Sequence, residues 1–146
     1  MAIDMMTRSV SIPTVPLRGP LLRLFHGDLG IDLATVATLT GQPLKFVQER
    51  ASLWEVRKWR GRLRHLGQDT LREISVLAGN PHALSYFYEG RPSDWITLIR
   101  EDIVSRGKRG ELNWKAIVAL ATVLDTYDKI IRLEVRRTER SMNQAA

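Results

Sequence analysis

The chain contains no cysteine. Disulfides, thiolate nucleophiles and cysteine-ligated zinc are excluded together, and a reducing compartment fits. No apolar run approaches the ~20 residues that a membrane-crossing helix needs. The N-terminus lacks the pattern of a signal peptide, because Met5-Met6 is followed by Thr7, Arg8 and Ser9 and not by an apolar stretch. The expectation is a cytoplasmic protein without a membrane partner. Histidine is scarce, and His26, His65 and His82 lie far apart without metal-ligand spacing, so no metal site is expected. No segment alternates apolar and polar residues as a strand would, so the expected fold class is all-α.

Catalytic constellations are missing too. Asp125 and Asp128 lie one helical turn apart, but Lys129 and Arg132 are placed to pair with them. Gly107-Lys108-Arg109-Gly110 lacks the spacing of a phosphate-binding loop. We therefore expect neither an enzyme nor a cofactor.

Positive charge is present in excess. The 146 residues carry a net charge of +6, which favours an anionic partner, most often nucleic acid. The excess is local. Between Lys45 and Arg64 lie Lys45, Arg50, Arg57, Lys58, Arg60, Arg62 and Arg64 against only Glu49 and Glu55, five of the six net charges. Such clustering is what phosphate neutralisation requires. A basic solvated face would produce the same count.

Residues 1–20 hold Pro13, Pro16, Gly19 and Pro20, which prevents a continuous helix and predicts a flexible arm. A short helix starts at Leu21 and should end at Gly27 and Gly30. Asp32 can cap a helix from Leu33 to Thr40; Gly41 turns the chain; Pro43 suits the first position of the next helix. Leu44, Val47, Ala51 and Trp54 continue at helical spacing, with room for the helix to run on through Val56 and Leu63. Thr70 and Glu73 have capping-box spacing for a helix to Ala78, and Gly79-Asn80-Pro81 turns it. A short aromatic segment covers His82–Tyr88. Ser93 can cap a helix through Ser105, the run 107–110 forms a basic turn, and Asn113 can cap a last helix from Trp114 to about Arg140. The expected division is an arm over 1–20, a DNA-binding unit over 21–66, a helical packing and oligomerisation region over 67–140, and a frayed tail over 141–146. One echo runs through the chain: Leu33, Leu39, Gly41 and Pro43 recur as Leu71, Leu77, Gly79 and Pro81. It marks either two related units or two similar turns.

The stretch from Val36 to Val47 meets the demands of a helix-turn-helix. Ala37 is small where two helices would cross, Gly41 tolerates a left-handed backbone, and Val47 is the inward residue of the second helix. It resembles the helix-turn-helix superfamily, departing from its commonest form at Gln42, where an apolar residue is frequent, and at Phe46, near the expected contact face. That resemblance places the second helix in the major groove. Lys45 and Gln48 are then the candidates for base edges, since Gln suits adenine and Lys guanine. Arg50, Arg57, Lys58, Arg60, Arg62 and Arg64 are the phosphate candidates. Trp54 and Trp59 either stack on bases or belong to the core.

In the last helix, Trp114, Ile117, Ala121, Leu124, Asp128, Ile131 and Val135 form a seam that Leu120, Val123, Tyr127 and Ile130 widen. A stripe so wide serves the chain's own domain, a second subunit or both. Trp114, Ile117, Leu120, Leu124, Ile131 and Val135 are the oligomerisation candidates. Lys129, Arg132, Arg136, Arg137 and Arg140 make a second basic surface.

In plan, an arm, a helix-turn-helix, a helical middle and a long last helix in one small basic chain, the sequence resembles a bacteriophage terminase small subunit. The likeness is one of layout and not of motif. It implies a homo-oligomeric ring in the host cytoplasm that recognises a packaging start on double-stranded DNA and hands it to an ATP-driven large subunit. The ring would be built by segments 94–105 and 114–135. Two other readings fit the residues: a dimeric helix-turn-helix regulator, and an adaptor whose basic surface meets an acidic protein.

Overall fold

Helices, and among the described residues no strand, build this protein. The structure, a computed structural model, describes residues 14–57 and 66–145, without the side chains of residues 131, 132, 135, 144 and 145. Helix α1 (Gly19–Leu22) widens into a π-helical turn (Arg23–Asp28). Then come α2 (Leu33–Thr40), α3 (Leu44–Leu53), α4 (Gln68–Leu77), a 3-10 turn (Pro81–Leu84) leading into α5 (Ser85–Tyr88), α6 (Pro92–Lys108) and α7 (Trp114–Ala145).

The N-terminal boundary differs from expectation. Within the predicted arm, Val15 and Leu17 are buried. The Val15 amide donates to the Thr40 carbonyl at 2.8 Å, and the Gln42 side-chain amide donates to the Val15 carbonyl at 2.8 Å. Residues 14–18 therefore clamp the turn after α2. The prolines prevent a helix here, but an extended segment still buries alternate side chains and finds backbone partners. Residues 1–13 lie outside the described residues.

Helix ends also differ: the last helix runs on to Ala145 through the expected frayed tail, and the rest differ for local reasons. Gly27 does not stop the first helix. The wider turn carries the chain through it, and a Cβ there would stand 3.4 Å from the Arg57 carbonyl oxygen. Helix α3 stops at Leu53 and does not run on through Val56, and Leu63 lies outside the described residues. Its inward face is Val47 and Ala51, and one more turn of helix would bring Val56 round beside exposed Ser52. The chain breaks instead, with Glu55 at φ 54, and Val56 is buried. Helix α4 starts three residues before Leu71, with Gly67 at its N-cap, so Thr70 lies inside the helix and closes no capping box. Helix α6 starts with Pro92 at its first position and takes in Gly107 and Lys108, which leaves Ser93 inside and a basic turn only at Arg109 and Gly110. Pro43 precedes α3 by one residue, as its N-cap. Asp32 holds the N-cap position of α2 without a side-chain capping bond. Asn113 does cap α7, accepting from the Ala116 amide at 3.2 Å.

One core joins these elements. Leu21, Leu22 and Phe25 pack beneath Ile117, Ala121 and Leu124 of α7, with Phe25 and Trp114 rings 5.8 Å apart. Asp125, buried, takes an ion pair from Arg23 at 2.7 Å and faces Lys129 at 3.5 Å. Helix α6 lies between the two turns. At Gly107 it touches Leu39 of α2 so closely that a Cβ would collide with it. At its other end Trp95, fully buried, donates its indole N–H to Ser75 of α4 at 2.9 Å and meets Phe87 edge-on at 5.0 Å. His26 is a satisfied core histidine, its Nδ1 2.7 Å from the Ile31 carbonyl.

Candidate nucleic-acid interface

Helices α2 and α3 pack against each other across a turn of three residues. Gly41 is left-handed at φ 66. Its amide donates to Thr38 and the next amide, of Gln42, donates to Ala37 at 3.1 Å, which closes the orphan carbonyls of α2 in a Schellman motif. Ala37 is buried at the contact and Val47 is fully buried beneath α3. The departure at Gln42 has a local cause, its bond to Val15. An apolar side chain would leave that carbonyl without its donor.

The outward face of α3 is polar. Lys45 and Gln48 are both exposed, on one face three residues apart. Glu49 and Ser52 are exposed on the same stripe and complete an i, i+3, i+4, i+7 series from Lys45. Sequence reasoning passed over these two, although helical spacing from Lys45 would have found them. As hydrogen-bonding groups they suit base edges, Glu as an acceptor from cytosine and Ser for either role. Leu44 and Leu53 are also exposed, at opposite ends of the helix.

Arg50 lies on the flank of this stripe and not on its crest. Its guanidinium sits over the Phe46 ring at 4.9 Å and the Trp54 ring at 5.7 Å. Phe46 and Trp54 are half-buried and pack against the core, so both rings belong to the fold as well as to the helix flank. Arg57 is exposed just beyond α3. Lys58, Arg60, Arg62, Arg64 and Trp59 lie outside the described residues.

The second turn repeats the first in backbone but not in chemistry. Gly79 is left-handed at φ 81, its amide donates to Val76, and the Asn80 amide donates to Ser75, each bond 38 positions after its counterpart in the first turn. The next segment, from Pro81 to Tyr88, is one 3-10 turn and one α-turn and carries no Lys or Arg. Its Phe87 faces inward against Trp95.

The candidate subunit contacts divide. Ile117, Leu120 and Leu124 are buried in their own domain, and Trp114 is half-buried against Phe25, so these four are core residues and not a free seam. The side chains of Ile131 and Val135 lie outside the described residues. Exposed apolar side chains do line α7 elsewhere: Val123, Tyr127, Ile130 and Leu133. The first three recur at i, i+4, i+7, on a strip turned away from the buried one. Lys129, Arg136, Arg137 and Arg140 are exposed along the same helix.

A cleft of about 720 Å³ opens between the start of α2 and the middle of α6. Its walls mix Asp32 and Glu101 with Arg100 and Lys108, a lining without one sign of charge. Among the described residues no three acidic or histidine side chains converge as a metal site would need, and no helix is long and apolar enough to cross a membrane. The chain is an all-α protein. No family model, curated protein or solved structure matches it.

Proposed function

We propose that this chain binds double-stranded DNA with sequence preference and works as a homo-oligomer, in the role of a terminase small subunit that marks viral DNA for an ATP-driven large subunit. The carrying observation is the outer face of α3: Lys45, Gln48, Glu49 and Ser52 stand exposed in one helical stripe, braced from behind by Val47 and Ala51. A rigid helix with a hydrogen-bonding crest is what direct readout of the major groove needs. Arg57 and the basic run after it supply the phosphate contacts that hold such a helix in register. The exposed apolar strip on α7 supports self-association. The packaging role rests on the likeness of plan to terminase small subunits.

Duplex binding at low and moderate salt tests the DNA reading. Lys45→Ala and Gln48→Ala should relax sequence preference, whereas Arg57→Ala should weaken all duplexes alike and flatten the salt slope by about one. An unchanged profile for all three would move the recognition element away from α3. Mass in solution without DNA tests the assembly. A closed ring of many subunits agrees with the packaging role, and a stable dimer contradicts it in favour of a two-fold regulator.

A further inference from the structure

Among the described residues two arginines lie over aromatic rings, and they differ in what their N–H groups do. Arg91 lies over Tyr86 at 5.0 Å and spends its donors on Asp94 at 2.6 Å and Glu89 at 3.7 Å. Arg50 lies over Phe46 and Trp54 and has no hydrogen bond or ion pair among the described residues. Elsewhere Arg23 is bound to Asp125, Arg109 to Glu111 and Arg100 to the Leu29 carbonyl. Arg50 is thus a half-buried guanidinium held close to two rings, with no hydrogen bond or ion pair on its N–H groups among the described residues. Stacking occupies the face of the group and leaves its edge for an acceptor.

We infer that Arg50 is a preorganised phosphodiester fork, positioned by Phe46 and Trp54, that fixes α3 against the backbone of duplex DNA. Three features argue for this ligand. The two rings lie one helical turn before and one after Arg50, so the guanidinium is restrained on the flank of the Lys45–Ser52 stripe, where a groove wall would stand if that stripe entered the groove. A planar fork matches two phosphate oxygens at once, which a lysine ammonium does not. Restraint before binding lowers the ordering cost of a long side chain. Phe46, which departs from the usual helix-turn-helix pattern, then has a task as the shelf. This inference rests on the proposed DNA binding for its partner, but not for the phosphate chemistry of Arg50.

Two readouts on the full chain keep the claims apart. The first follows arginine Nε–H signals by nuclear magnetic resonance during titration with inorganic phosphate. The Arg50 signal should shift saturably and more than that of Arg57, and Phe46→Leu should reduce the shift to the Arg57 level. The second is duplex affinity at moderate salt. Arg50→Lys keeps the charge and should lose about tenfold in affinity with an unchanged salt slope; Phe46→Leu should lose several-fold in the same way. Melting curves confirm that each variant is folded. If duplex binds but Arg50→Lys and Phe46→Leu match wild type, and phosphate moves Arg50 no more than Arg57, the inference is overturned and the DNA reading stands. If phosphate selects Arg50 but no duplex binds at low salt, the anion site stands and the DNA reading falls.

Discussion

The two helix–turn units are built on one backbone plan and finished differently. Both close their first helix with the same pair of hydrogen bonds around a left-handed glycine, Gly41 in one and Gly79 in the other. After the first turn comes a ten-residue helix with an exposed polar stripe; after the second come two short turns whose Phe87 is committed to Trp95. The turn geometry alone therefore does not leave a helix face exposed. A helix offers a face only if it is long enough beyond the turn and is not claimed by the core. The second unit packs as a brace, with α6 wedged between both turns.

That contrast breaks most severely at the brace. Trp95→Ala removes a fully buried indole and should cost about 3–5 kcal/mol in a urea or thermal melt, enough to threaten the whole single core. If the loss were confined to the second unit, with the first still melting as wild type, the two would be independent and the shared core wrong. Gly107→Ala drives a methyl group into Leu39 at the contact of α6 with α2 and should cost about 1–3 kcal/mol. A neutral result would mean that α6 does not brace the first turn closely. Gln42→Ala leaves the Val15 carbonyl without its side-chain donor, at about 1 kcal/mol. Faster amide exchange at Val15 and Gln42 should accompany it, with no change at Asn80. The smallest effect has the opposite sign. Glu55 holds a left-handed conformation at the end of α3, whereas the five other left-handed positions among the described residues are glycine, so Glu55→Gly should relieve about 0.5–1 kcal/mol of backbone strain. A lower melting temperature would show that the Glu55 side chain contributes more than its backbone strain costs.

Much of this architecture was legible from residues alone. Helix α2, Gly41 as its left-handed end, Val47 as an inward residue and Asn113 as a cap all come from local rules, because each depends on neighbours within a few positions. The misplacements share a different cause. Val15 was hidden among prolines because its partners, Thr40 and Gln42, lie 25 and 27 positions away. Periodicity carried α3 too far because it does not register that Val56 must turn inward. Thr70 and Ser93 matched capping patterns that Gly67 and Pro92 pre-empted. In the site, Lys45 and Gln48 stand exposed where they were expected. The shelf under Arg50 was not anticipated, although Phe46, Arg50 and Trp54 are spaced one turn apart, because Trp54 was weighed only as a base-stacking ring or a core residue and not as a partner of Arg50. On the last helix, charge and apolarity could not tell which face its own domain would claim.

Helix α3 is proposed to read DNA. The most direct test is the binding of the full chain to duplex DNA at low salt, wild type beside the Lys45→Ala/Gln48→Ala double variant, across a pool of randomised sequences. Binding should weaken linearly on a log–log plot of affinity against salt, with a sequence preference that the double variant loses while still binding. No binding at low salt, or an identical preference in the double variant, would contradict it.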